Sequence, residues 1–357
     1  LANFGFIDSW LKEAKEGSGT AVAISGLKKG LEKNGHRVSL FSPSSLPPPL
    51  FLNRLRFNFK ILPRLLSSKT DVIVGFDIDG WLYALLRRKG SRYFCSLKGI
   101  ASDEARYEKG FVKRLLQAHG ELEKWNVRAS DRVITDSRYC QKRIQALYGV
   151  PKHKIKIVPE GIDVDFWRRR LAAFRKKTKR NKKSSVTILC VARQYPRKRV
   201  ELLLKAAAKI RKKFPDLKLR IIGKGPEHSR LQALAAKLHW KEALIGTVDD
   251  VISEYAAADI FCLPSVQEGF GIVFLEAMVA GLPIVAARAT AVPEVVLDGI
   301  NGLLAKPESV ESLAVALERL IKNPKLRRRL GQAGRKRVVR YDWKRVGKEF
   351  AGYLKSS

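Results

Sequence analysis

Acidic residues, paired cysteines, clustered histidines and long apolar runs are what this chain has least of. Asp and Glu number 34 against 70 Lys and Arg, giving a formal net charge of +36 and an isoelectric point near 10.3. A chain this basic is drawn toward anions, whether phosphorylated ligands, anionic bilayers or nucleic acid. Cys95, Cys140, Cys190 and Cys262 show no paired spacing, and three of them lie in or beside apolar strand-like runs. That excludes a disulfide scaffold and reads as reduced core thiols. The five histidines form no grouping with Asp or Cys at metal-ligand spacing, so no tightly bound metal is expected. No apolar run reaches the length of a membrane span, and no secretory h-region is visible. No internal repeat or low-complexity tract occurs beyond the Ser/Pro-rich turn at Ser42–Pro49.

What is present is regular alternation. Over 357 residues, 45% of them hydrophobic, there is material for two domains with separate cores. Strand-like runs at Phe4–Ile7, Arg37–Phe41, Asp71–Val74, Arg92–Leu97, Arg132–Thr135 and Lys156–Val158 are separated by mostly helical patterns. One such helix spans about Thr20–Asn34, with Ala23, Leu27 and Leu31 on a stripe and Gly35 as its stop. The pattern restarts at Ser185–Val191 and continues through Leu217–Ile222 and Ile260–Pro264 to Leu303–Leu304 and a helix at Val310–Lys322. Strand and helix in alternation imply parallel sheets covered by helices. Two starts imply two doubly wound α/β domains, 1–165 and 185–340. Between them Arg168–Lys183 holds ten cations and no acid, so 166–184 reads as an exposed basic connector.

The most informative stretch is Ser265-Val-Gln-Glu268-Gly269-Phe270-Gly271-Ile272-Val-Phe-Leu-Glu276. A buried strand runs into a glycine turn and a helix start, an arrangement that presents backbone N–H groups to a bound anion. Two carboxylates eight residues apart flank that turn. This segment resembles the Glu-x7-Glu signature of retaining GT-B glycosyltransferases, specifically glycosyltransferase family 4. The resemblance covers nearly the whole chain and is densest over Val191–Leu304. It implies two Rossmann-like domains facing a cleft, with the helix 341–357 crossing back to pack on the first.

The resemblance also assigns roles. Glu276 would bind the ribose hydroxyls of a nucleotide-diphosphate sugar, and Glu268 the hydroxyls of its sugar. The N–H groups of Phe270, Gly271 and Ile272 would complete the anion site beside Gly269. Arg193 and Lys198, five apart after the first strand of the second domain, match the family's donor-binding arginine and lysine, with Arg197 and Arg199 as possible mimics. Two cations there could clamp a diphosphate and stabilise charge on the departing nucleotide. Gly223 belongs to a Gly-x-Gly-Pro turn at the rim of the nucleotide cleft. Gly17-Ser-Gly19 resembles the paired-glycine loop that approaches the donor phosphate from the first domain. The family's histidine after the fourth strand is missing. Ser96-Leu-Lys98 through Asp103 stands there, leaving Lys98 or Asp103 to take part of that role.

The expected function is thus retaining, metal-independent hexosyl transfer. A UDP-sugar is the favoured donor and GDP-mannose the alternative; the donor is a substrate, and no resident cofactor is implied. The acceptor is a sugar, a lipid or another small molecule, such as a lipid or polysaccharide precursor. The competing reading is a non-catalytic scaffold of the same fold that binds anionic membrane or nucleic acid through its basic surface. Another would hydrolyse or epimerise the sugar nucleotide. Residues 50–66 interleave aromatics and leucines with cations and are the expected contact with an anionic membrane surface. Nucleic acid is disfavoured because no RNA- or DNA-binding motif is found. The expected location is cytoplasmic and membrane-peripheral, or an organelle if a leader preceded Leu1.

Overall fold

The computed structural model describes residues 1–9, 19–43, 50–177 and 185–353. The chain forms two compact units, Leu1–Gly161 with Trp343–Ser357, and Ile162–Asp342.

The first unit runs β1 (Asn3–Ile7), α1 (Gly19–Glu32), β2 (Arg37–Phe41), α2 (Leu50–Leu66), β3 (Val72–Phe76) and α3 (Trp81–Leu86). It continues with β4 (Tyr93–Leu97), α4 (Ala101–Glu104), α5 (Gly110–Ala129), β5 (Arg132–Thr135), α6 (Arg138–Tyr148) and β6 (Ile155–Ile157). The strands form one six-stranded sheet in the order β2-β1-β3-β4-β5-β6, with every pairing parallel. β3 and β4 are buried at every residue, as strands covered by helices on both faces must be.

The second unit opens with α7 (Val164–Lys177), β7 (Thr187–Val191), α8 (Val200–Arg211), β8 (Lys218–Ile222), α9 (His228–Lys237) and β9 (Leu244–Gly246). α10 (Val251–Ala257), β10 (Ile260–Leu263), α11 (Ile272–Ala280), β11 (Ile284–Ala287), α12 (Val292–Val295), β12 (Gly302–Ala305), α13 (Val310–Lys322) and α14 (Pro324–Arg337) follow. Its sheet is also six-stranded, in the order β12-β11-β10-β7-β8-β9, and parallel throughout. Side-chain caps start three of its helices, α10, α13 and α14. Asp250 accepts from Ile252 N at 3.1 Å and Ser309 from Ser312 N at 3.1 Å, each satisfying an N–H that the helix itself leaves unpaired. Asn323 caps α14 ahead of Pro324 and so separates it from α13. The last helix, α15 (Trp343–Gly352), belongs to the first unit, where it packs on α1.

One expectation is corrected. Residues 164–177 are helix, where a basic connector was expected; of that segment, 178–184 lie outside the described residues. Trp167 and Leu171 are buried and Phe174 packs beside them, so apolar residues recur at four and three positions and give one helical face to the core. The six cations of 168–177 mask that stripe in the composition. All four cysteines are free and buried. No helix of the described residues is long and apolar enough to cross a membrane.

Candidate functional site

In a doubly wound sheet, ligands gather at the carboxyl ends of the strands where the strand order reverses. In the second unit β7 and β10 are neighbours and their crossovers leave in opposite directions. The residues that follow these two strands carry most of the expected site.

After β7 the chain passes Arg193, which is exposed and lies over the Tyr195 ring with its guanidinium carbon 5.4 Å from the centroid. It then makes a turn of 3-10 helix at Pro196–Lys198. After β10, Ser265 Oγ donates to Arg197 O at 3.2 Å and Val266 N to the same oxygen at 2.9 Å, tying the two loops together. Across this junction Lys198 Nζ donates to Glu268 Oε1 at 2.6 Å. Both side chains are largely buried, at 15% and 8% exposed. An ammonium has three N–H donors, so this contact leaves two for a ligand. Glu268 is also fixed through its backbone, whose N–H donates to Thr290 Oγ1 at 3.0 Å.

Gly271 precedes α11 with φ +90°, and a Cβ there would meet the Phe274 ring at 2.6 Å. Only glycine turns the chain into the helix at this point. No side chain caps α11 and no acidic residue lies in its first turn. Its first N–H groups and the positive end of its dipole are thus available to an anion. The helix is apolar on every side except for Glu276. Tyr255 OH on α10 donates to Glu276 Oε2 at 2.7 Å. Part of Glu276 reaches solvent, yet burial of its carboxyl pushes the pKa up to about 7 against the lowering effect of the Tyr255 hydrogen bond. Gly223, at φ +115°, lets the end of β8 approach Ala192 O, which a Cβ would meet at 2.2 Å. It therefore shapes the loop that carries Arg193.

The first unit treats its candidates differently. Lys98, just past β4, is buried with Nζ 2.8 Å from Glu160 Oε1 and 3.2 Å from Asp136 Oδ1. Burial lowers its pKa, but Asp136 and Glu160 outweigh that and hold it above the ordinary lysine value. Asp103 does not stand beside it as a free carboxylate. Fully buried, it accepts from Tyr139 OH at 2.6 Å, Arg143 Nε at 2.8 Å and Arg106 Nη1 at 3.4 Å, which ties α4 to α6. Gly19 is the first residue of α1, with open space where a Cβ would stand; Gly17 lies outside the described residues. Tyr255, Thr290 and Gln194, which donates through Nε2 to Gly223 O at 2.7 Å, were not singled out from the sequence. No motif marks them, since each works through a partner distant in the chain.

A parallel sheet that gathers a lysine, a glutamate and an uncapped helix start at its switch point defines a Rossmann-type unit. The chain belongs to glycosyltransferase family 4: residues 17–166 match the model Glycosyltransferase Family 4 and residues 172–337 the model Glycosyl transferases group 1. A GDP-mannose-dependent alpha-(1-6)-phosphatidylinositol monomannoside mannosyltransferase of Mycolicibacterium smegmatis is 31% identical over 238 residues. That match covers 63% of this chain and 62% of the relative, so the chain spans less than two thirds of its length. Sucrose-phosphate synthase from Thermosynechococcus elongatus superposes with a TM-score of 0.84 at 20% identity, over 100% of this chain and 99% of that one. Anabaena HepE, solved in complex with UDP and glucose, superposes with a TM-score of 0.77 at 19% identity over 100% of both chains. These likenesses establish the GT-B fold.

Proposed function

We propose that the protein is a retaining glycosyltransferase that takes a sugar from a nucleotide-diphosphate sugar. The observation that carries this reading is the Lys198–Glu268 contact at the start of an uncapped helix whose one polar residue is Glu276. Glu276 accepts hydrogen bonds from the ribose diol, and Glu268 holds the hydroxyls of the sugar. Arg193, the remaining N–H groups of Lys198 and the first N–H groups of α11 take the diphosphate. These donors gain most as negative charge accumulates on the departing nucleotide, so they stabilise the transition state more than the bound donor.

The acceptor hydroxyl must lose a proton as it attacks. Lys98, protonated between two carboxylates, is no base, and Asp103 is committed to Tyr139 and Arg143. The departing diphosphate itself therefore takes that proton, from the face it is leaving, and the configuration at the anomeric carbon is kept. Because fixed cations neutralise the diphosphate, no divalent ion is required, and EDTA should leave activity unchanged.

The acceptor is a lipid or sugar precursor, in line with the mannosyltransferase relative named for a phosphatidylinositol monomannoside. One observation favours membrane docking alongside catalysis. α2 exposes Leu52 at 53% and Phe59 at 58% beside exposed Arg56, Lys60 and Arg64, a mixed face of the kind that lies in a bilayer interface.

The experiment is turnover of UDP- and GDP-sugars followed by proton NMR, with and without candidate acceptors. Slow donor hydrolysis or transfer that first yields the donor's own anomer supports retention, and the opposite anomer overturns it. Lys198→Ala should lower kcat by roughly 10²–10³, the usual cost of losing one donor to a developing charge. Full activity in that variant would remove the lysine from the site.

A further inference from the structure

Two basic segments far apart in the sequence meet on one face of the second unit. Residues 168–177 and 324–340 contain no Asp or Glu, and they form the body of α7 and of α14 with the turn after it. Both helices pack on α11. They converge at its carboxyl end, where Arg175 Nη2 donates to Ala280 O at 2.8 Å and Arg335 Nη2 donates to the same oxygen at 2.9 Å. Arg168 Nη2 reaches Arg335 O at 3.4 Å. Arg168 and Arg175 stand two turns apart on α7, as Arg328 and Arg335 do on α14, so each pair shares a helix face. All four are exposed, as are Lys176 and Lys336 beside them.

Two guanidinium groups on one carbonyl oxygen offset the negative end of the α11 dipole. That explains Arg175 and Arg335, but it does not explain Arg168, Lys176, Arg328 and Lys336. The acids nearest in sequence sit at the edges of the face: Asp163 and Asp165 at the start of α7, one turn before Arg168, and Asp342 beyond Arg340, while Arg170 on α7 pairs with Asp250 at 3.2 Å. Within the two segments themselves every charge is positive, so their cations repel one another and favour a surface that brings many negative charges at once.

We propose that the α7–α14 face is an electrostatic docking surface for an anionic bilayer. Its chemistry matches phosphate-bearing headgroups, because guanidinium forks bind phosphate oxygens in pairs. No exposed large apolar side chain occurs on α14, and on α7 only Phe166, near its start, is exposed. The face thus lacks the aromatic platforms on which single-stranded nucleic acid stacks. Attachment here would also occupy the carboxyl end of α11 and leave its amino end, with Lys198 and Glu268, open to a donor. This surface is separate from α2 and does not depend on the transferase reading.

The test is vesicle co-sedimentation of the full chain, using phosphatidylcholine alone and phosphatidylcholine mixed with phosphatidylglycerol. The comparison variant is Arg168→Glu/Lys176→Glu/Arg328→Glu/Lys336→Glu, which spares both helix-capping arginines. The expected result is binding to the anionic vesicles only, lost at high salt, and weakened in the variant by roughly fivefold or more for each cation removed. A Leu52→Ser/Phe59→Ser variant serves as a control, and it should keep that salt-sensitive component. Circular dichroism and a thermal melt of the charge variant check that its fold is intact. Undiminished vesicle binding by a folded charge variant overturns the proposal. So does absence of vesicle binding, and an oligonucleotide shift abolished by the same substitutions would then assign the face to nucleic acid.

Discussion

At the scale of single residues, Glu276 and its hydroxyl partner set the character of the site. A carboxylate accepts from a diol best when ionised, and Glu276 titrates near neutrality because burial raises its pKa to about 7. Nucleotide affinity should therefore strengthen as pH rises through that value. The Tyr255 hydrogen bond works against the rise, so Tyr255→Phe should move the midpoint to higher pH and weaken binding at neutral pH, while alkaline pH restores it. The phenyl ring keeps the stacking on Phe261, 5.6 Å between centroids, so packing alone predicts no such shift. A pH series of nucleotide titrations on both proteins decides it, and superimposable profiles would remove Tyr255 from the site. Glu268, Glu276 and Lys198 could be proposed from the family resemblance because they lie in short segments that follow a strand end. Tyr255 could not, since its distance of 21 residues from Glu276 becomes a contact only after α10 packs beside α11. Asp103 shows the converse: apart from Arg106, its partners Tyr139 and Arg143 lie on α6, and nothing in the local sequence shows those contacts.

At the scale of elements, the helices succeed or fail by what they bury. α7 was hidden by its charge, yet Trp167 meets the Tyr255 ring edge-on at 5.5 Å, so this helix backs the residue that orients Glu276. α1 and α15 approach closely through glycines. A Cβ at Gly30 would meet the Trp343 carbonyl oxygen at 2.2 Å, and since the obstacle is backbone it cannot rotate away. Gly30→Ala should cost about 1–3 kcal/mol of stability, seen as a lower thermal midpoint; an unchanged midpoint would mean that the two helices do not pack this closely. α5 carries a buried carboxyl, Glu123, which accepts from Tyr148 OH at 2.6 Å and Ala101 N at 3.0 Å. Burial and nearby Asp77 push its pKa up to about 8. A carboxyl that holds its proton more tightly when folded contributes its full stability below about pH 4.5 and loses it as pH rises toward about 8. Thermal melts across that range should fall more steeply for the wild type than for Glu123→Gln, and parallel curves would contradict the assignment.

At the scale of the whole molecule, two parallel sheets were legible because a strand buried on both faces and a helix with one apolar stripe have different periods, and the alternation starts twice. The unit boundary was less legible. The chain crosses between units at 161–162 and again at 342–343, and the first crossing is followed at once by the helix that its cations disguised. The net charge of +36 was visible from the start, but its gathering on α7 and α14 was not, because segments more than a hundred residues apart meet only once both have packed on α11. The central claim is that the second unit holds a nucleotide diphosphate between Lys198, the start of α11 and Glu276. Calorimetric titration of the full chain with UDP and with GDP, repeated on Glu276→Ala, tests it most directly. Saturable binding of one nucleotide that disappears in the variant is the expected result and identifies the donor base. Binding of neither nucleotide, or equal binding by wild type and variant, would contradict it.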